Sequence, residues 1–205
     1  MKILISLAGL EVSSKTVKSL ADDSDFIIAA DGGYLPLEKN NIQPNLIIGD
    51  FDSVSIENFS SSVEVIRHPR EKDKSDGELA VELALMKNPR TIILTNALGL
   101  RPDQYLANLI LTINHPGLVE IVDDNWIIKA LTGPVDCYLQ KLDSGKLISI
   151  FAWGKEITGL SLTGCKYSVN EINLYPGTRG LSNVIESSEI RISFQSGTAL
   201  LFTEY

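Results

Sequence analysis

The stretch Leu46-Ile47-Ile48-Gly49-Asp50-Phe51-Asp52-Ser53 decides how the chain is read. Three apolar residues run into a glycine, and two carboxylates then flank one aromatic. An apolar run of this length ahead of a glycine predicts a short buried strand ending in a sharp turn. Open α/β sheets gather their ligands beyond the carboxyl ends of the strands, which is where Asp50 and Asp52 are expected. Two carboxylates so close repel each other unless a cation or a proton intervenes. A hard divalent cation with oxygen ligands answers that need, with Mg²⁺ the expected ion. From this stretch alone, a solvated Asp-rich turn with Ser53 opening a helix is the competing description.

Toward the amino terminus, residues 2–7 and 26–30 read as strands with a polar, helical stretch between them. Asp31-Gly32-Gly33 follows the second strand. Paired glycines let backbone N–H groups approach an anion, although a diglycine after a strand is often only a tight turn. Residues 34–40 read as a helix and 64–66 as a fourth strand.

Next comes Pro69-Arg70-Glu71-Lys72-Asp73-Lys74-Ser75-Asp76-Gly77-Glu78. Ser75 with Glu78 forms a capping box, and Leu79, Leu83 and Met86 predict the apolar stripe of the helix it opens. Asp76 falls in the first turn, where its charge offsets the helix dipole. Residues 91–94 make a fifth strand, followed by Thr95-Asn96-Ala97-Leu98-Gly99-Leu100-Arg101-Pro102-Asp103-Gln104. Asp103 is the expected N-cap of a helix with Leu106, Leu109, Ile110 and Ile113 on one face. Arg101, at a strand's carboxyl end, is placed either to grip a phosphate or to pair with an acid at the surface. Residues 118–122 read as a sixth strand.

From about Asp124 the texture changes. Short alternating runs at 126–131, 135–139, 146–151, 157–162, 189–194 and 198–202 are separated by Gly, Pro and Asn. That pattern predicts an antiparallel β-sandwich or jelly roll. The expected organisation is therefore an α/β N-terminal domain with a mainly parallel sheet over 1–123, then an all-β antiparallel sandwich over 124–205.

A hydrophobic content of 44% and a net charge of −8, without a Lys/Arg-rich run, argue against nucleic acid or an anionic membrane as partner. An acidic chain still binds a polyphosphate when metal ions bring the positive charge. Residues 1–5 pass straight into a strand pattern and lack the apolar core and cleavage site of a signal peptide. No apolar run approaches the ~20 residues that cross a bilayer. Cys137 and Cys165 form no CxxC pair, which fits free thiols in a reducing cytoplasm, and with His68 and His115 they make a poor zinc set. The chain also lacks GxxxxGK[ST], GxGxxG, GxSxG and kinase motifs.

The order and spacing of Asp31-Gly32-Gly33, Gly49-Asp50-Phe51-Asp52-Ser53, Glu71-Lys72-Asp73-Lys74-Ser75-Asp76, Arg101-Pro102-Asp103-Gln104 with Asn108, Gly164-Cys165-Lys166-Tyr167 and Leu181-Ser182-Asn183 resemble the thiamine pyrophosphokinase (thiamin diphosphokinase) family over nearly the whole chain. The resemblance implies transfer of the pyrophosphoryl group of ATP to thiamin, with Mg²⁺, giving thiamin diphosphate and AMP. It implies a cytoplasmic homodimer with the site between subunits. Nucleotide and metal would lie on the α/β domain, and the β domain would contribute to the vitamin site.

Carried over, Asp50, Asp52, Asp73 and Asp76 would hold Mg²⁺ and the polyphosphate, and Arg101 would contact phosphate beside Asp103. Asp31, Gly32, Gly33, Lys72, Ser75, Gln104 and Asn108 would complete the nucleotide site. Tyr167 stands where the family often has an aromatic that stacks on thiamin, and Ser182 and Asn183 match its SN pair. Three departures stand out. Leu100 replaces a glycine common before the arginine, Gly77 replaces a larger residue, and Phe151-Ala152-Trp153-Gly154 lacks a frequent proline. The competing functions are a related pyrophosphokinase acting on another heterocyclic alcohol, such as a pterin, and a non-catalytic thiamin sensor. Retention of the paired carboxylates argues against the sensor.

Overall fold

The computed structural model describes residues 1–49, 63–67, 73–140 and 142–205. They divide into two compact units, one formed by Met1–Leu111 and Leu118–Asp124, the other by Thr112–Gly117 and Asn125–Tyr205.

In the first unit, continuous apolar runs become the strands β1 (Lys2–Ser6), β2 (Phe26–Ala30), β3 (Leu46–Gly49), β4 (Glu64–Arg67), β5 (Thr91–Thr95) and β6 (Val119–Val122). All pair in parallel, in the order β4-β3-β2-β1-β5-β6. Such strands carry apolar residues on both faces because both faces are covered. Ile3, Leu4 and Ile5 of β1 are fully buried. Each contributes about 1.5–3 kcal/mol relative to leaving it in water. The strand order reverses at β1, with β2 on one side and β5 on the other. Such a reversal opens a crevice beyond the strand ends.

The helices are α1 (Ser14–Asp22), α2 (Tyr34–Lys39), α3 (Asp76–Leu85) and α4 (Pro102–Asn114). Ser75 caps α3 as expected, its hydroxyl accepting from the Glu78 amide at 3.1 Å. The buried face of α3 differs from the expected stripe. Gly77, Ala80, Val81 and Ala84 are buried, Leu79 and Leu83 only half-buried, and Met86 exposed. Small residues at i, i+3, i+4 and i+7 let this helix lie close against β1, β2 and β3.

Asp103 is likewise not the N-cap. The helix begins at Pro102, whose fixed φ suits a first helical position, and Asp103 lies within the first turn. Asn108, Leu109, Leu111 and Thr112 face inward, whereas Leu106 and Ile110 are exposed. Asp31–Gly33 is a short 3₁₀ turn running directly into α2, so the paired glycines belong to a helical entry rather than an extended loop.

The second unit holds β7 (Trp126–Thr132), β8 (Val135–Gln140), β9 (Leu147–Thr163), β10 (Val169–Leu174), β11 (Asn183–Val184), β12 (Glu189–Phe194) and β13 (Ser196–Glu204). Every recorded pairing among them is antiparallel. The runs expected at 146–151 and 157–162 are one strand of 17 residues, β9. Its first part pairs with β13 and β11, and its second part with β12 and β10. Gly154 (φ +72°) and Gly159 (φ +65°) supply the backbone that lets a continuous strand change course between two ladders. Ile150, Ile157, Leu160, Leu162, Ile190, Ile192 and Phe194 form its core. Among the described residues, no helix is long and apolar enough to cross a membrane.

Candidate functional site

The crevice at the strand-order reversal of the first unit is a cavity of about 450 Å³. It is lined by Leu7, Ala8 and Gly9 after β1, Ala30 and Asp31 after β2, and Ser75, Asp76 and Gly77 at the start of α3. Ala97, Gly99, Leu100, Arg101, Gln104 and Asn108 complete it from the β5–α4 side. Five residues that the sequence marks for nucleotide or phosphate (Asp31, Ser75, Arg101, Gln104 and Asn108) thus meet in one cavity, with Asp76 beside them.

The floor is built by close backbone approach. The Leu7 amide donates to Thr95 O at 3.0 Å, Gly9 to Asn96 O at 2.7 Å and Leu10 to Leu98 O at 2.8 Å. A Cβ on Gly9 would lie 2.3 Å from Asn96 O, so only glycine fits. Asn96 is buried with φ +53°. Its side chain donates to Ser6 Oγ at 3.0 Å and accepts from the Val12 amide at 2.8 Å. Gly33 is tied down in the same way, since a Cβ there would lie 2.0 Å from Ser6 O. Sequence reasoning overlooked Leu7–Gly9 and Asn96; a glycine just after the first strand was the available signal.

At the rim, Arg101 and Asp103 form an exposed ion pair, and the Arg101 guanidinium holds the Asp103 carboxyl down at about 2. The amide of Asn108 donates to Ala97 O at 2.7 Å, which ties α4 to the strand-end loop. Asp73 is exposed two residues ahead of Ser75 and does not line the cavity; nor do Gly32 and Asp103. Asp50, Asp52 and Lys72 lie outside the described residues. Among the described residues, no group of three or more His, Cys, Asp or Glu side chains is gathered to hold a metal.

The β-strand unit has its own cavity, of about 570 Å³. Tyr167, Asn183, Ile150, Leu160, Ile172, Tyr175, Arg179 and Leu181 are among its lining residues. Tyr167 lies in the bend between β9 and β10, and the residue is 62% exposed. An ordinary core aromatic is therefore excluded. The Lys166 ammonium lies over its ring, 5.5 Å from the centroid. Ser182 adopts φ +58°, and its amide donates to Ser149 Oγ at 2.9 Å. Gly180 lets this segment close on β9, since a Cβ there would lie 1.8 Å from Ile150 O. Tyr175 and Arg179 were not anticipated, and a Gly- and Pro-rich turn was their only sequence signal.

Residues 17–120 match the family model "Thiamin pyrophosphokinase, catalytic domain", and residues 137–199 match "Thiamin pyrophosphokinase, vitamin B1 binding domain". A thiamine pyrophosphokinase of Bacillus subtilis (strain 168) is 29% identical over 192 residues, covering 88% of this chain and 87% of that protein. The crystal structure of thiamine pyrophosphokinase from Bacillus subtilis superposes with a TM-score of 0.87 at 25% identity, over 100% of this chain and 99% of that one. Thiamin pyrophosphokinase from Candida albicans shares the fold, with a TM-score of 0.82 at 18% identity, over 99% and 88% of the two chains.

Proposed function

Because the chain belongs to the thiamin pyrophosphokinase family, we propose that it transfers the pyrophosphoryl group of ATP to the hydroxyl of thiamin, giving thiamin diphosphate and AMP. The observation that carries this reading is the crevice of the first unit. One cavity at a topological switch point brings together Asp31, the start of α3 and Arg101. In the reaction, the thiamin oxygen bonds to the β-phosphorus, the bond from that phosphorus to the α-bridging oxygen breaks, and AMP departs. Little covalent help is needed. Positioning and charge neutralisation supply most of the acceleration.

In this assignment Arg101 binds phosphate as a planar two-pronged donor. Asp31, Gly32, Gly33, Lys72, Ser75, Asp103, Gln104 and Asn108 shape the nucleotide site, and Asp76 stands at its edge. Asp50, Asp52 and Asp73 would hold Mg²⁺, which supplies neutralisation of polyphosphate charge when bound. The donor chemistry fits a hard cation, since all three offer carboxylate oxygens. The position before Asp50 also abuts another acid, as a Cβ on Gly49 would lie 3.1 Å from the Asp31 Cα. Tyr167 offers its ring to the cationic thiazolium, and Ser182 and Asn183 complete the vitamin site. The domain roles follow, with residues 1–123 handling nucleotide and metal and residues 124–205 the vitamin. A cytoplasmic homodimer with the site at the subunit interface rests on family resemblance.

The test is product analysis of the pure protein with ATP, Mg²⁺ and thiamin. The expected result is one AMP for each thiamin diphosphate. ADP with thiamin monophosphate, or no thiamin-dependent turnover, would overturn the assignment.

A further inference from the structure

Asn183 and Tyr167 are 16 residues apart, yet one side-chain amide holds both main-chain polar groups of the tyrosine. Asn183 Oδ1 accepts from the Tyr167 amide at 3.0 Å, and Nδ2 donates to Tyr167 O at 3.0 Å. Oδ1 also accepts from the Val184 amide at 2.9 Å, so both of its lone pairs are engaged. Just before this contact, the Lys166 amide donates to Val184 O at 2.9 Å and Cys165 bridges Ile185 antiparallel. Residues 165–167 thus run along 183–185 as a short ladder, and the Asn183 side chain makes its last rung.

Tyr167 needs such a rung. The residue is 62% exposed and lies in a bend, where packing does little to fix its ring. Asn183 itself is fixed by strand pairing, its Cα in register with Ile148 of β9. Both residues line the same 570 Å³ cavity. An amide whose oxygen is fully used offers no acceptor to the amino group of an aminopyrimidine, and beyond its bond to Tyr167 O it keeps one Nδ2 N–H.

We infer that Asn183 is a positioning residue, which anchors the Tyr167 backbone so that the ring meets the thiazolium, rather than the acceptor for the pyrimidine's amino group. The inference rests on the thiamin reading of this cavity. If Asn183 acts through Tyr167, its removal can weaken thiamin binding no more than removal of the ring does. For a cation over an aromatic face that limit is roughly two- to thirtyfold.

The experiment is a double-mutant cycle on thiamin affinity, measured by calorimetry on the full chain with Asn183→Ala, Tyr167→Ala and both together. Amide hydrogen exchange at Tyr167 is followed in parallel. The β-branched Asn183→Thr, which suits a strand but cannot span to Tyr167, serves as a second variant should Asn183→Ala fail to fold. The expected result is a severalfold loss of affinity from either Asn183 change when Tyr167 is present. That loss falls below twofold in the Tyr167→Ala background, and Tyr167 amide exchange accelerates. Equal losses in both backgrounds, or unchanged Tyr167 exchange, would overturn the inference while leaving the vitamin site standing. Absence of thiamin binding by the unmodified protein would remove the vitamin reading and this inference with it.

Discussion

Arg101 and Asp103 meet fork to fork at the rim of the crevice, Nε to Oδ1 at 3.1 Å and Nη2 to Oδ2 at 2.6 Å. The pair fixes the guanidinium plane next to the cavity that Arg101 lines. Lysine keeps the charge but loses the planar fork. Arg101→Lys is expected to lower kcat/KM for ATP about ten- to hundredfold, the worth of a charged hydrogen bond of about 1.5–3 kcal/mol. The melting temperature should barely move, since an exposed pair adds little to stability. The Asp103 carboxyl lies at about 2, below its ordinary value, so whatever the pair contributes is present above pH ~4 and fades only as pH falls through about 2. An acid limb near pH 5–6 in the rate profile therefore belongs to another group.

Leu100 and Gly77 should respond in opposite senses to size. Leu100 holds φ +54°, a left-handed conformation that strains a branched side chain, and is 72% exposed. Leu100→Gly trades about 1–2 kcal/mol of strain for about 0.5–1 kcal/mol of lost chain stiffness. A rise of about 1–4 °C in melting temperature is expected by calorimetry. At Gly77 an added Cβ meets Leu7, Asn108 and Leu111 at 3.5–3.7 Å, ordinary contact distances. Gly77→Ala should be stabilising by about 0.5–1 kcal/mol for the same entropic reason.

Cys165 is 4% exposed, and burial, with Glu186 nearby, raises its thiol from 9.0 to about 11. Such a rise cuts the thiolate fraction at pH 8 roughly a hundredfold. A thiol reagent should label Cys165 in the native protein far more slowly than in the unfolded chain. Because the folded value is the higher one, the corresponding stability is complete below pH ~9 and declines as pH rises toward 11. Fast native labelling of Cys165 at pH 8 would contradict this.

Asp50→Asn and Asp52→Asn each remove charge from the proposed Mg²⁺ site without removing volume. Turnover should fall steeply in both, with the melting temperature equal or higher because carboxylate repulsion is relieved. The Mg²⁺-dependent rise in melting temperature expected of the unmodified protein should shrink as well. Near-normal activity in both variants would sink the metal assignment.

Most of the parallel half was legible because doubly covered strands are continuous apolar runs, and β2 begins and ends where Phe26 and Ala30 indicate. The buried side of α3 was not. Leucines at helical spacing outweighed Gly77, Ala80 and Ala84, whose small size matters only once the sheet lies against them. In the β half, Gly154 read as a break between the runs 146–151 and 157–162, whereas at positive φ it bends a single strand. The crevice residues Asp31, Ser75 and Arg101 could be picked out from local motifs. The Asn183–Tyr167 anchor could not, because it depends on residues 165–167 docking beside 183–185, a long-range pairing without a local signature.

The central claim is that phosphate and vitamin are held by separate sets of residues, one around Arg101 and one around Tyr167. Steady-state kinetics in both substrates on Arg101→Lys, Tyr167→Ala and Tyr167→Phe tests it most directly. Tyr167→Ala should raise KM for thiamin roughly two- to thirtyfold and leave KM for ATP nearly unchanged. Tyr167→Phe should behave as the unmodified protein, and Arg101→Lys should act on ATP. A Tyr167→Ala variant that damages both substrates' KM equally, with lowered melting temperature, would contradict the account.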